Sequence, residues 1–435
     1  MSPAVWPGAV GVALAALAAL LVTGPARAGA VADSAAADDA ALSLADLQPD
    51  EVAQASDWRR FIEAGLGASA RRGGAAMQGS RRLSLDLRYE HSPLPGVRLF
   101  LADRLDLGLP PPGAGEHAVN TLKEAYVSWQ VAGDAMADLG RINVRNGVAT
   151  GYNPTDYFRE GAVRAPVSIN PASLRENRQG SVMLRAQRVW DGGSLTALYS
   201  PALVRQSNPE GLALDVGGTN ARHRALLALS QRLGGLSPQF LVLHEEARSP
   251  RFGFNLTGLL NDATVAYLEW SGGRSATQLA DALQAVVPPC DCSSWRNRVA
   301  AGLTYTTADK LSLTAEFQHN GAGLDGAAWN ALRQGPAAFY GQYRNAVRIT
   351  QELPTRRALF LQALWQDALV PRLDLGVMHN LDLVDRSHRL WAEARYHVDS
   401  VEYALQWVRH GGEAGSVYGA VPESRGWQLL VRYYF

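Results

Sequence analysis

The sequence predicts an all-β chain, a closed antiparallel transmembrane β-barrel of about 18 strands, and three observations carry that prediction. From about Arg59 onward, segments of roughly ten residues alternate apolar and polar side chains, the two-residue period of a strand with one greasy and one wet face. The links between these segments alternate between tight turns and longer stretches, as short periplasmic turns and long extracellular loops would. The chain also ends on such a strand: Trp427, Leu429, Val431, Tyr433 and Phe435 interleave with Gln428, Leu430, Arg432 and Tyr434.

At the N-terminus an apolar run from Ala9 to Val22 leads into Gly24-Pro25 and the small-x-small pattern Ala26-Arg27-Ala28. The run falls short of the roughly 20 residues that a spanning helix needs. Residues 1–28 therefore read as a cleaved signal peptide, although no Lys or Arg precedes the apolar run. Residues 29–58, rich in Ala and Asp with a short helix over 42–55, read as a periplasmic extension, and 59–435 as the barrel. Charges interrupt every later apolar stretch, so no spanning helix is expected. In lipid only helices and closed barrels satisfy the backbone.

The strands follow in order. Leu83, Leu85, Leu87 and Tyr89 alternate with Ser84, Asp86 and Arg88; Leu311, Leu313, Ala315 and Phe317 alternate with Ser312, Thr314 and Glu316. The same pattern recurs at Val299–Tyr305, Leu390–Tyr396 and Val401–Trp407. Long links are expected at about 107–119, 144–177, 201–220, 246–250, 272–295, 319–354, 382–386 and 410–423, with tight turns between them. Counting from Arg81 to Phe435 leaves an odd number, and both termini belong on the periplasmic side. Phe61–Ser69 supplies the missing first strand and makes 18, or 16 if the weak pair around 236–259 is misread. A barrel of that size has room for an aqueous lumen. A propeller would show a motif repeating about every 40 residues, and none is present.

Composition narrows the function. The formal net charge is +0, so no basic excess points to nucleic acid. Lys123 and Lys310 are the only lysines, and the arginine bias fits either genomic base composition or an arginine-lined pore. Cys290 and Cys292 could pair with each other and stiffen a loop tip in an oxidising compartment. Two sulfurs without a nearby His fall short of a four-ligand metal site. No His-Glu-x-x-His, Gly-x-Ser-x-Gly or phosphate loop is present, so no enzyme activity and no cofactor are expected. His244, His379 and His397 are the histidines a barrel-wall hydrolase could use, and no nucleophile is placed beside them.

The densest functional stretch is the long loop near 144–177 and its flanks. Between 141 and 188 there are eight arginines against Asp156, Glu160 and Glu176. Asn153-Pro154 and Asp156 favour compact, side-chain-closed turns, and so long a loop is usually functional. Folded inward, it would narrow the lumen and present Arg145, Tyr152, Asn153, Asp156, Tyr157, Arg159 and Arg164 to a solute; lying outside, it would simply cover the mouth. The inward register of the wall adds Asp86, Arg88, Arg98, Arg104, Glu124, Tyr126, Arg185, Arg298, Glu316, Arg389, Glu393, Arg395 and Glu402. Rings of arginine favour anions, and paired acids reduce the field.

Two resemblances add to this reading. The final strand, Trp427 to Phe435, resembles the terminal strand that the barrel-assembly machinery recognises. It implies an assembly signal and a Gram-negative outer-membrane location, with outer-membrane lipid and lipopolysaccharide as surroundings. Leu122–Trp129 followed by Gly140-Arg141, Gly147 and Asn153-Pro-Thr-Asp156 resembles porin-type barrels of the alginate-export-like group, which implies an outer-membrane channel. The expected function is passive or substrate-selective diffusion of small hydrophilic solutes, with mild anion selectivity, through an arginine-lined lumen, as a monomer or homotrimer. An outer-membrane lipid hydrolase and a loop-closed structural or export-partner barrel are the alternatives.

Overall fold

A computed structural model describes residues 56–74, 76–108, 118–165, 168–284 and 293–435. The expected signal peptide, most of the N-terminal extension and Cys290 with Cys292 lie outside the described residues. The strands are β1 (Trp58–Arg71), β2 (Met77–Leu94), β3 (Val97–Gly108), β4 (Ala118–Ala132), β5 (Ala135–Ile142) and β6 (Ser181–Trp190). Next come β7 (Gly193–Ser200), β8 (Arg224–Gln231), β9 (Leu236–Glu245), β10 (Arg251–Asn261), β11 (Thr264–Ser275) and β12 (Ser294–Thr306). The last are β13 (Leu311–Asn320), β14 (Arg357–Trp365), β15 (Leu373–Asp382), β16 (His388–Val398), β17 (Val401–Gly411) and β18 (Glu423–Tyr434).

They form one 18-stranded antiparallel sheet, and it closes because β1 pairs with both β2 and β18, Phe61 standing opposite Tyr434. The weak segments around 236–259 are full strands, so the larger count holds. Tight links such as 95–96, 133–134, 191–192, 262–263 and 399–400 gather at the end that carries Trp58 and Phe435. The links 143–180, 201–223 and 321–356 leave from the opposite end.

The wall is inside-out relative to a soluble protein. Leu83, Leu85, Leu313, Phe317, Leu405 and Trp407 are exposed, while Asp86, Glu316 and Glu402 between them are buried. Apolar side chains on the outside of a closed barrel match a lipid surround. One irregularity matters for the lumen. The register between β3 and β4 slips between Ala102 and Asp103, a bulge that turns both Lys123 and Glu124 inward. Lys123 Nζ then donates to Asp86 at 2.8 Å, and Glu124 accepts from the Asn143 amide at 3.4 Å.

Inward charges lock the closing seam. Glu63 on β1 takes Arg82 at 2.6 Å, Arg104 at 3.0 Å and Arg432 of β18 at 2.7 Å. Arg432 also reaches Glu402 at 3.3 Å; Glu402 takes Arg395 at 2.7 Å, and Arg395 takes Glu393 at 3.0 Å. Arg104 extends the chain of pairs to Asp86 at 3.6 Å, so it runs unbroken from β16 to β4.

Helices in the long links were not foreseen from the sequence. They are α1 (Pro171–Glu176), α2 (Val216–Thr219), α3 (Gln278–Leu283), α4 (Gly326–Gln334) and α5 (Ala337–Thr350). Trp329, Leu332 and Tyr343 of α4 and α5 are buried with Leu324 and Val417, and Leu279 of α3 packs on them. These residues build a small apolar core over the mouth at the long-link end.

Glu63→Gln leaves three guanidiniums short of a carboxylate across the seam. Breaking a buried pair in this way costs roughly 3–5 kcal/mol. The heat-modifiable gel shift of the folded barrel is expected at a clearly lower temperature than in wild type. An unshifted transition would show that the seam does not depend on this residue.

Candidate functional site: a loop braced across the lumen

The link 143–180 folds inward and is held by contacts on opposite walls. Its first anchor is apolar: Val144, Tyr157 and Phe158 bury themselves against the inward-facing Met183, Leu198, Leu226, Leu241 and Leu243 of β6 to β9. The second anchor is Glu269 on β11. Its carboxylate accepts from the amides of Val148 (2.9 Å), Ala149 (3.0 Å) and Thr155 (2.7 Å), and from the Thr155 hydroxyl (2.8 Å). The third is Glu316 on β13, which accepts from the amides of Thr150 (2.8 Å), Gly151 (3.0 Å) and Tyr152 (2.9 Å) and from the Tyr267 hydroxyl (2.8 Å). Further along, Ile169 packs on Phe360, Met378 and Trp391 of β14 to β16.

The local sequence explains the turn. Consecutive amides can point at one carboxylate only if the backbone curls tightly, and Gly147 provides the bend at φ 102. A β-carbon there would lie 2.6 Å from both carboxylate oxygens of Glu269. The Asn153 side chain donates back to the Ala149 carbonyl at 2.5 Å, closing the turn as its position suggests. Asp156 takes both ends of the Arg178 guanidinium, at 2.7 and 3.0 Å. Arg178 also donates to the Val144 carbonyl, which staples the loop to its own stem.

Glu352, in the turn after α5, clamps the loop from above. It accepts from Tyr152 Oη at 2.5 Å and from Arg159 at 2.7 Å, and pairs with Arg298 of the wall at 3.3 Å. Burial alone would raise the Glu352 carboxyl, but Arg159 and Arg298 hold it below its ordinary value. Burial and the facing Glu352 push the Tyr152 phenol well up. Burial works against the charge on Arg159, and Glu352 more than offsets it.

Between this loop, α3 and the end of α5 lies a cavity of about 220 Å³. Arg159, Arg222, Arg248, Arg251 and Arg298 line it, facing Glu160, Asp281 and Glu352. Glu245 gathers Arg222, Arg248 and Arg251 at 2.9, 3.2 and 2.9 Å, and Glu160 faces Arg222 and Arg248 at 3.6 and 3.7 Å. Burial lifts the Asp281 carboxyl against the pull of Arg248 and Arg298.

The sequence-derived candidates therefore divide. Tyr152, Asn153, Asp156, Tyr157, Arg159, Arg298 and Glu316 come together at the braced loop. Arg164 instead clasps the carbonyls of Glu210 and Ala213 in the link 201–223, tying one loop to another. Arg145 is exposed and makes no ion pair among the described residues. On the wall, Asp86, Arg104, Glu393 and Arg395 belong to the seam lattice. Arg185 pairs with Asp138 at 2.6 Å, Tyr126 stacks on Phe100 at 4.6 Å, and Arg389 lies over Tyr418 at 5.6 Å. Arg88 and Arg98 are exposed. Sequence reading missed Glu269, Glu352, Asp281 and the trio Arg222, Arg248 and Arg251. Of these, Glu269 had a signal: an acid on the register opposite Leu268 and Trp270.

No protein-family model matches the chain, and no curated protein matches it in sequence. Solved structures do match it in fold. OccAB1 of Acinetobacter baumannii is 11% identical, covering 87% of this chain and 96% of its own, with a TM-score of 0.57. OccK7 (OpdD) of Pseudomonas aeruginosa is 12% identical, with coverage of 87% and 98% and a TM-score of 0.53. OccK10 (OpdN) of the same organism is 14% identical, with coverage of 87% and 99% and a TM-score of 0.52. The chain shares the fold of these structures, and its own sheet is a closed barrel of 18 strands.

Glu269→Ala and Glu316→Ala each strand several loop amides, at roughly 1–3 kcal/mol for each unsatisfied donor. Both variants are expected to show larger and noisier single-channel currents in a planar bilayer. Currents identical to wild type would mean that this loop does not set the constriction.

The Glu352 clamp also predicts a pH dependence. A carboxyl depressed on folding stabilises fully above its unfolded value, near 4.5, and loses that contribution as pH falls through the lower folded value. An acid-induced change in current is therefore expected with its midpoint below pH 4.5, and is expected to vanish in Glu352→Gln. A midpoint above that value would contradict the clamp.

Proposed function

We propose that the chain is a Gram-negative outer-membrane channel that admits small hydrophilic solutes, with a mild preference for anions. One observation carries this reading. A loop is braced from wall to wall inside the barrel and leaves a cavity faced by guanidiniums at its outer side. A loop whose backbone is satisfied by wall carboxylates is a fixed constriction rather than a surface cover. The fold of the Occ structures supports the same class, as does the resemblance of Leu122–Asp156 to alginate-export-like channels.

The anion preference rests on the balance at the cavity. Five arginines face Glu160, Asp281 and Glu352 there; Glu245 is nearly buried behind Arg222 and Arg248, while Glu160 is as exposed as Arg222, so guanidinium is the commoner charge a solute meets. Pairing keeps that field modest. A second reading, a loop-closed barrel without a conducting path, draws on the apolar roof built by Trp329, Tyr343 and Val417.

Planar-bilayer recording of the refolded protein across a salt gradient separates the two. A stable conductance with a reversal potential favouring chloride is expected, and Arg222→Gln with Arg248→Gln is expected to move that potential toward zero. A heat-modifiable barrel that never conducts would overturn the channel reading in favour of the closed one.

A further inference from the structure

The outer surface carries a feature that solute passage does not use. Strands β13 to β18 each turn one basic side chain outward near their long-link ends: His319, Arg357, His379, His388, Arg409 and Arg425. Each shares its face with exposed apolar residues of its own strand, such as Phe317, Leu361, Val377, Tyr396, Trp407 and Trp427. Register brings them into one belt. Arg409 stands directly opposite Arg425, and Leu390 bridges Arg409 to His379. His388 faces Gly411, and Arg357 faces His319.

The pair Arg409 and Arg425 is the informative part. Like charges directly opposite one another on a sheet face destabilise the pairing. Neither arginine has an ion pair or side-chain hydrogen bond among the described residues. The nearest carboxylate along β18, Glu423, stands in register with Arg71 and makes no ion pair with either. One step toward the tight-turn end lie Trp407 and Trp427, also directly paired and exposed at 37% and 45%. Outward-facing tryptophans mark the level of the lipid headgroups. The two guanidiniums thus sit at the outer headgroup level, where a phosphate can accept bidentate bonds from both and remove their repulsion.

The geometry points to a binding site for the phosphate groups of an outer-leaflet phosphorylated lipid on the outer face of β14 to β18. Arg409 and Arg425 form its centre, with Arg357, His379 and His388 extending it along the belt. The inference rests on the reading of the chain as an outer-membrane barrel, and its test keeps the two apart.

The full barrel, refolded in neutral detergent, would be titrated with diphosphorylated lipid A, with monophosphoryl lipid A, with neutral phosphatidylcholine and with inorganic phosphate. Retention is read by native mass spectrometry, and the heat-modifiable transition is followed in parallel. Diphosphorylated lipid A is expected to stay bound and to raise the transition. The R409Q/R425Q variant should bind it at least tenfold more weakly while conducting like wild type. Equal retention of phosphatidylcholine, an equal shift with inorganic phosphate, or unchanged lipid A binding in the variant would overturn the site. Loss of conductance in wild type would instead strike the channel reading. If the double variant does not fold, the preference of wild type for diphosphorylated over monophosphoryl lipid A decides alone, and its absence overturns the proposal.

Discussion

The carboxylates of Glu269 and Glu316 hold a stretch of irregular backbone inside the barrel, and the candidate site depends on that contact. Backbone amides removed from water need acceptors, and a loop crossing a lumen cannot find them all within itself. Here the wall supplies them as two carboxyl side chains from strands far from the loop's own stem. Once Val148 to Thr155 are fixed in this way, Tyr152 and Arg159 are aimed at Glu352, and Asp156 is aimed back at Arg178. The cavity above the loop exists because those three contacts leave a gap between the loop and α3.

Charge pairing is the second theme, and it serves two different ends. Along the seam from β16 to β4, arginines and carboxylates are shared in a continuous lattice, so the inner wall is well charged yet carries little net field. Buried lattices of this kind favour one register over its neighbours more than they add stability, which suits a sheet that must close on itself. At the cavity the same residue types are arranged unevenly: Glu245 is buried behind Arg222 and Arg248, and Glu160 stands in front of them, as exposed as Arg222.

The barrel was legible in the sequence because its period is two along most of each strand and its links alternate in length. Leu313, Ala315 and Phe317 could be assigned outward from spacing alone, and Phe61–Ser69 could be recovered as β1 from an odd strand count. The helices α4 and α5 were not legible in the same way. Their amphipathic stripe packs on Val417 and Leu279, residues distant in sequence, and is short within a long polar link. Glu124 was read as inward, but its neighbour Lys123 was not, since a bulge breaks the parity on which assignment relies.

What the sequence by itself determined is the class of architecture: a barrel of 18 or 16 strands, the outward and inward sets, and the end at which the long links lie. Alternation encodes these locally, residue against neighbour. Only the tertiary structure decided what the inward charges do. Arg164, Arg145 and Arg159 look equivalent along the chain, yet one ties two loops together, one is left exposed and one is locked under Glu352. Closing the sheet brings β11 and β13 to the loop that follows β5. Contacts across a lumen carry no trace in local spacing, because their partners lie more than a hundred residues apart in the chain.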